Sequence, residues 1–145
     1  MSHGLSLDHI AITVRDMDRA VDFYRDLLGF EVLGQLFLND GTFKLVYLQA
    51  GAARIELFAF TETGRSVDAD APNEDLGFKH LAFTVDDVDA VTARLQAADV
   101  EFTVEPLDAP GGVRLAFFRD PDGNLLELVD RLPDMAPYRP GWDAG

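Results

Sequence analysis

Two histidines and two glutamates occupy matched positions on an internal repeat, and their chemistry is that of a metal centre. His9 and His80 lie 71 residues apart, and so do Glu56 and Glu127. Their surroundings repeat as well. H-I-A-I-T-V-R-D-M-D at His9 and H-L-A-F-T-V-D-D-V-D at His80 are identical at six of ten positions, and R-I-E-L-F at Glu56 answers L-L-E-L-V at Glu127. Two imidazoles and two carboxylates, with no sulfur, suit one divalent ion: Zn, Ni, Co, Mn or Fe(II). Four such donors leave one or two positions for water or substrate. An open position beside two carboxylates suits removal of a proton next to a carbonyl. A single strand His or inward Glu is most often a satisfied polar residue. In register on a repeat the four make a ligand set, because unpaired carboxylates at apolar strand centres are costly and a cation compensates them. His3 lies near the start of the chain and is not counted among the ligands.

Strands are the elements that must hold these residues. Residues 7–14 alternate, with Ile10, Ile12 and Val14 on one face and His9, Ala11 and Thr13 on the other. Asp16 or Asp18 can cap a helix running through about Leu28, in which Met17, Ala20, Val21, Tyr24, Leu27 and Leu28 recur at helical spacing and Gly29 ends the run. Strands follow at 30–38, 43–49 and 54–60, with turns at Asn39-Asp40-Gly41 and Ala50-Gly51-Ala52. The second half repeats the plan: a strand at 78–85, a helix at 88–98, and strands at 101–107, 112–118 and 124–129, the last preceded by the turn Asp120-Pro121-Asp122-Gly123-Asn124. The expected class is therefore α+β, two tandem βαβββ modules at 5–60 and 76–131 within a single domain of 145 residues. Residues 61–75 form the linker and 132–145 a loose tail, the alternative for Tyr138 to Trp142 being a lid over the cleft.

Alternation also decides what faces the cleft. His9, Glu56, His80 and Glu127 all lie opposite apolar neighbours that belong against the helices. The same face then carries Thr13, Phe58, Phe60, Ala82, Thr84 and Val129. Thr13, Phe58, Phe60 and Thr84 are the candidate substrate contacts. Phe117 and Phe118 alternate, so one is core and the other reaches the cleft, with Phe118 the substrate-side candidate. Arg114 is a further candidate, able to grip a substrate carboxylate, although a surface Arg in so acidic a chain is the plainer reading.

The composition narrows the partners. A formal charge of −14 repels phosphate backbones and anionic lipid, so neither nucleic acid nor membrane is expected. No stretch approaches the length of a membrane span, and the first residues lack the pattern of a signal peptide. There is no Cys, which removes disulfides and thiolate chemistry and fits a cytoplasmic location.

The motifs D-H-I-A-I-T-V, D-F-Y-R-D-L-L-G-F, R-I-E-L, K-H-L-A-F-T-V-D-D-V and D-P-D-G-N-L-L-E-L resemble those of the vicinal oxygen chelate superfamily of glyoxalase I, methylmalonyl-CoA epimerase, extradiol dioxygenases and fosfomycin or bleomycin resistance proteins. The resemblance implies an open, incomplete barrel of paired βαβββ modules, His9, Glu56, His80 and Glu127 as ligands of one divalent metal, and a homodimer. The His-Glu-His-Glu set looks most like bacterial glyoxalase I, a lyase. Those proteins place an Arg four residues after the first His and an Asn four after the first Glu to hold glutathione. Thr13 and Phe60 stand there instead. The resemblance thus implies lyase or isomerase chemistry on a small, partly apolar molecule not linked to glutathione, with Glu127 as the catalytic base and Glu56 returning the proton. Two other classes stay open. One is a ring-cleaving dioxygenase, for which Tyr47 could assist; the other is a protein that sequesters an apolar toxin or antibiotic against Phe58, Phe60 and the Phe117-Phe118 pair.

Overall fold

The computed structural model describes residues 3–142. Two four-stranded sheets are present, one from each half, and both are open. With two α-helices and short helical turns among the described residues, the class is α+β. The tail expected over 132–145 extends in its last three residues, 143–145, outside the described residues.

The first sheet has the order β1-β4-β3-β2, from β1 (His9–Thr13), β2 (Glu31–Leu38), β3 (Phe43–Ala50) and β4 (Ala53–Phe60). β1 runs parallel to β4, which brings Ala11 beside Glu56 and Thr13 beside Phe58. β3 and β4 form a hairpin through Gly51, whose φ of +62° suits glycine. β2 carries a bulge between Val32 and Gly34, so its two ends present different faces. The opposite face buries Leu48, Ile55 and Leu57 under α1 (Met17–Val21), with Val14, Met17 and Ala20. Asp16, not Asp18, caps this helix by accepting from the Arg19 N–H at 3.1 Å.

The helix expected through Leu28 changes character on the way. After Val21 it continues as a π-helical segment, Asp22–Leu27. The adjacent Phe23 and Tyr24 are both buried in this segment. Tyr24 is fully buried, and its hydroxyl donates to Asp120 Oδ2 at 2.7 Å. Asp120 belongs to the turn expected at 120–124. It also accepts from the Asp122 and Asn124 backbone N–H groups at 3.0 and 2.8 Å and from Asn124 Nδ2 at 2.8 Å. This turn, with Arg119, packs in one compact unit with the chain up to Lys79. The polar stretch after Phe60, 61–80, carries no strand or helix; there Asp70 pairs with Arg119.

The second sheet has the order β5-β8-β7-β6, from β5 (Leu81–Thr84), β6 (Phe102–Ala109), β7 (Val113–Arg119) and β8 (Leu125–Val129). Its core lies under α2 (Val88–Ala97), where Val88, Leu95, Ala116, Phe118, Leu126 and Leu128 are buried. Asp87 caps α2 by accepting from the Ala90 N–H at 3.0 Å, in register with Asp16 of the first half. The tail is less loose than expected at its start. The Asp134 N–H donates to the Gly111 carbonyl at 2.8 Å and Arg131 to the Gly112 carbonyl at 2.9 Å. Gly111, at φ +88°, is required there, since a Cβ would sit 2.6 Å from that of Pro133. Tyr138 and Trp142 are exposed and pack on nothing as a lid would. No helix among the described residues is long and apolar enough to cross a membrane.

Candidate metal centre

The parallel pairing of first and last strand in each half makes a neighbour of each His and Glu. In the first half His9 Nε2 lies 2.9 Å from Glu56 Oε2; in the second, His80 Nε2 lies 2.9 Å from Glu127 Oε2. Two donors at right angles on one ion, each about 2.1 Å from it, stand about 3 Å apart. A cation can therefore take the place of the shared proton in either pair without moving the side chains far. Glu56 sits between the apolar Ile55 and Leu57 with only 7% of its surface exposed, where an uncompensated carboxylate is costly. The donor chemistry and spacing of each pair thus fit a divalent ion. Among the described residues, no group of three or more His, Asp or Glu side chains is placed to hold one. Within each half, the expected His and Glu stand as a pair.

Among the described residues, the first pair sits in a hydrogen-bonded chain that the second lacks. His9 Nδ1 lies 2.7 Å from Asp8 Oδ2, and Arg54 Nη1 donates to Asp8 Oδ1 at 2.6 Å. The hydrogen bonds to His9 and then Arg54 hold the Asp8 carboxyl below the usual carboxylate range. An imidazole that binds a cation through Nε2 keeps its hydrogen on Nδ1, where a carboxylate orients the ring. Asp8 is placed for that. On the other side, Tyr47 donates to Glu56 Oε1 at 2.9 Å, and the bond raises the phenol above its ordinary range. In the second half, Phe117 meets the His80 ring edge-on at 5.1 Å, as Tyr47 meets His9 at 6.2 Å.

Of the expected substrate contacts, Thr13, Phe58 and Phe60 lie on the Glu56 face, and Thr84, beside Val129, lies on the Glu127 face. Phe43 joins them: it stacks on Phe60 at 4.3 Å and meets Phe58 edge-on at 5.1 Å. Two expectations are corrected. Phe118 is core, 0% exposed and stacked on Phe102 at 5.3 Å, and Phe117 is the member of the pair beside His80. Arg114 shares the face of Phe118 and is held by Asp89 of α2 and by Asp108, so its guanidinium is committed on the helix side. Asp8 and Phe43 join the site without having been expected there, and Tyr47, expected only for ring cleavage, takes a place beside Glu56. The two-residue turn at Gly51 fixes Tyr47 opposite Glu56 and Phe43 opposite Phe60, a register readable from the hairpin. Asp8 gives no such signal, since strict alternation turns it away from His9.

Comparison with known proteins bears on the family and the fold. Residues 6–128 match the model of the Glyoxalase/Bleomycin resistance protein/Dioxygenase superfamily. The chain is 35% identical to the uncharacterized protein YaeR of Escherichia coli (strain K12) over 126 residues, covering 85% of this chain and 94% of that one. It is 31% identical to a lactoylglutathione lyase of Pseudomonas aeruginosa over 143 residues, covering 84% and 80%. The crystal structure of SMU.1112c superimposes with a TM-score of 0.77 at 30% identity, covering 88% of this chain and 99% of that chain.

Proposed function

We infer that this chain, which belongs to the Glyoxalase/Bleomycin resistance protein/Dioxygenase superfamily, is a divalent-metal-dependent lyase or isomerase that moves a proton next to a carbonyl. The observation that carries the reading is the pair of imidazole–carboxylate contacts at 2.9 Å, repeated in both halves. His9, Glu56, His80 and Glu127 would hold one ion, supplied by one chain or by two copies of it. When bound, the ion polarises the substrate carbonyl as a Lewis acid.

The chain's own residues do the rest. Glu127 takes the proton from the carbon beside the carbonyl, and the electron pair of that C–H bond moves toward the carbonyl oxygen. A carboxylate of the set, Glu127 or Glu56, returns the proton to the adjacent carbon in an isomerisation or to the opposite face in an epimerisation. Phe43, Phe58, Phe60 and Thr13 would receive the rest of the substrate. Their character favours a small α-hydroxy carbonyl with an apolar or aromatic substituent over a charged tripeptide adduct. β2, the outer strand of its sheet, exposes Leu33, Leu36, Phe37 and Leu38, which supports a homodimer. The lack of Cys supports a reducing cytoplasm.

Elemental analysis of protein purified without chelator is expected to find about one divalent ion per chain, or half that if the ion is shared. Glu127→Gln should then keep the metal and lose turnover at least ~10²-fold on such substrates. Retained activity would remove Glu127 from the base role. Failure to load Ni, Co, Zn, Mn or anaerobic Fe(II) would leave sequestration of an apolar ligand as the function. Oxygen uptake with catechols under Fe(II) would point to ring cleavage.

A further inference from the structure

The duplicated halves are unequal at one position, and the inequality divides labour between the two glutamates. Tyr47 precedes Glu56 by nine residues, whereas Phe117 precedes Glu127 by ten, because the second hairpin turn is one residue longer. Both rings nevertheless stand edge-on to the histidine of their own half. They are structural counterparts that differ by one hydroxyl. That hydroxyl donates to Glu56 Oε1 while Oε2 faces His9, so both oxygens of Glu56 are engaged. Among the described residues Glu127 has a single side-chain partner, His80. The histidines differ in the same sense. His9 is backed by Asp8 and Arg54, while the residue before His80 is Lys79, whose Nζ donates to the Pro72 carbonyl at 3.3 Å.

We propose that Tyr47 is a positioning residue that pins Glu56 as a metal ligand through its second oxygen, a restraint that Glu127, the base of the reading above, lacks because it faces a phenyl ring with no hydrogen bond to offer. This rests on the metal-dependent reading above and adds to it the residue that restrains Glu56. The physical basis is restraint. A carboxylate bonded through both oxygens must break a charge-assisted hydrogen bond to turn, whereas one held by a single partner turns freely.

Reciprocal variants test it, with Co(II) as both ligand and probe. Tyr47→Phe keeps the ring and removes one oxygen; it should still bind Co(II), with affinity weakened about tenfold or more. The visible absorption band of the bound ion should also change shape and intensity as Glu56 loosens. Phe117→Tyr supplies the missing hydroxyl beside Glu127. It should tighten Co(II) binding and lower kcat with KM little changed, since the base is now tethered. Unfolding temperatures of the metal-free variants establish that both fold. If wild-type protein binds Co(II) and Tyr47→Phe matches its affinity and spectrum, the assignment of Tyr47 fails while the metal reading stands. If wild-type protein binds no Co(II), both fall together.

Discussion

At the scale of single residues, the ligand face owes its character to parity along the strands. Alternation was enough to set His9, Glu56, His80 and Glu127 on the face away from the core, because their neighbours Ile10, Ile55, Leu57, Leu126 and Leu128 are strongly apolar. It also set Phe58 and Phe60 with Glu56. Their stacking with Phe43 makes an aromatic platform that should act by binding, not by chemistry. Phe58→Ala should therefore raise KM for a substrate with an aromatic substituent about tenfold or more and leave kcat nearly unchanged. An equal fall in kcat would mean that the platform acts in the chemical step. Parity was silent where a side chain is claimed by a tertiary partner. Arg114 is such a case, drawn to Asp89 on a helix 25 positions away, and no spacing rule announces that bond. Phe117 and Phe118 were indistinguishable without the register of β7, and a one-residue slip exchanges their faces.

At the scale of elements, the two modules were legible because each begins with a capped helix after a strand and closes with a hairpin. Asp16 and Asp87 mark both caps. The π-helical segment was not legible, since Met17, Ala20, Val21 and Tyr24 fit an α-helix equally well. It carries Tyr24, whose hydroxyl makes the buried bond to Asp120. Tyr24→Phe should cost about 1.5–3 kcal/mol of stability, the range for hydrogen bonds to a charged group. The bond also has a pH signature. Burial, with Asp120 next to it, raises the Tyr24 phenol far above its ordinary value of 10.0. The folded state thus keeps its proton where the unfolded chain releases it. The contribution is whole below pH 10 and declines as pH rises above it. Denaturant midpoints across that range should fall less steeply in Tyr24→Phe than in the parent; parallel curves would assign the alkaline loss to other groups.

At the scale of the whole molecule, duplication explains how a chain of 145 residues places the four candidate ligands with so little sequence devoted to them. It also fixes when they can meet. In each half the Glu follows the His by 47 positions, and the strands that carry them pair in parallel, a ladder that no hairpin can deliver. The β2–β3–β4 meander can zip from its own turns. β1 must be captured afterwards, across a long loop and with its closure entropy unpaid by local contacts. Docking of the first strand is thus the late event of assembly and the early event of unravelling. An ion held between His9 and Glu56 would act as a clasp on that strand. At a hundredfold excess over Kd, Zn(II) should add about 2.7 kcal/mol to stability. Amide hydrogen exchange should slow most over Ile10, Ile12 and Val14. Protection gained instead over β2 and β3 would show that the ion tightens the meander and leaves the first strand to open as before. If the clasp holds, the residues that do the chemistry also report, by their occupancy, that the chain has finished folding.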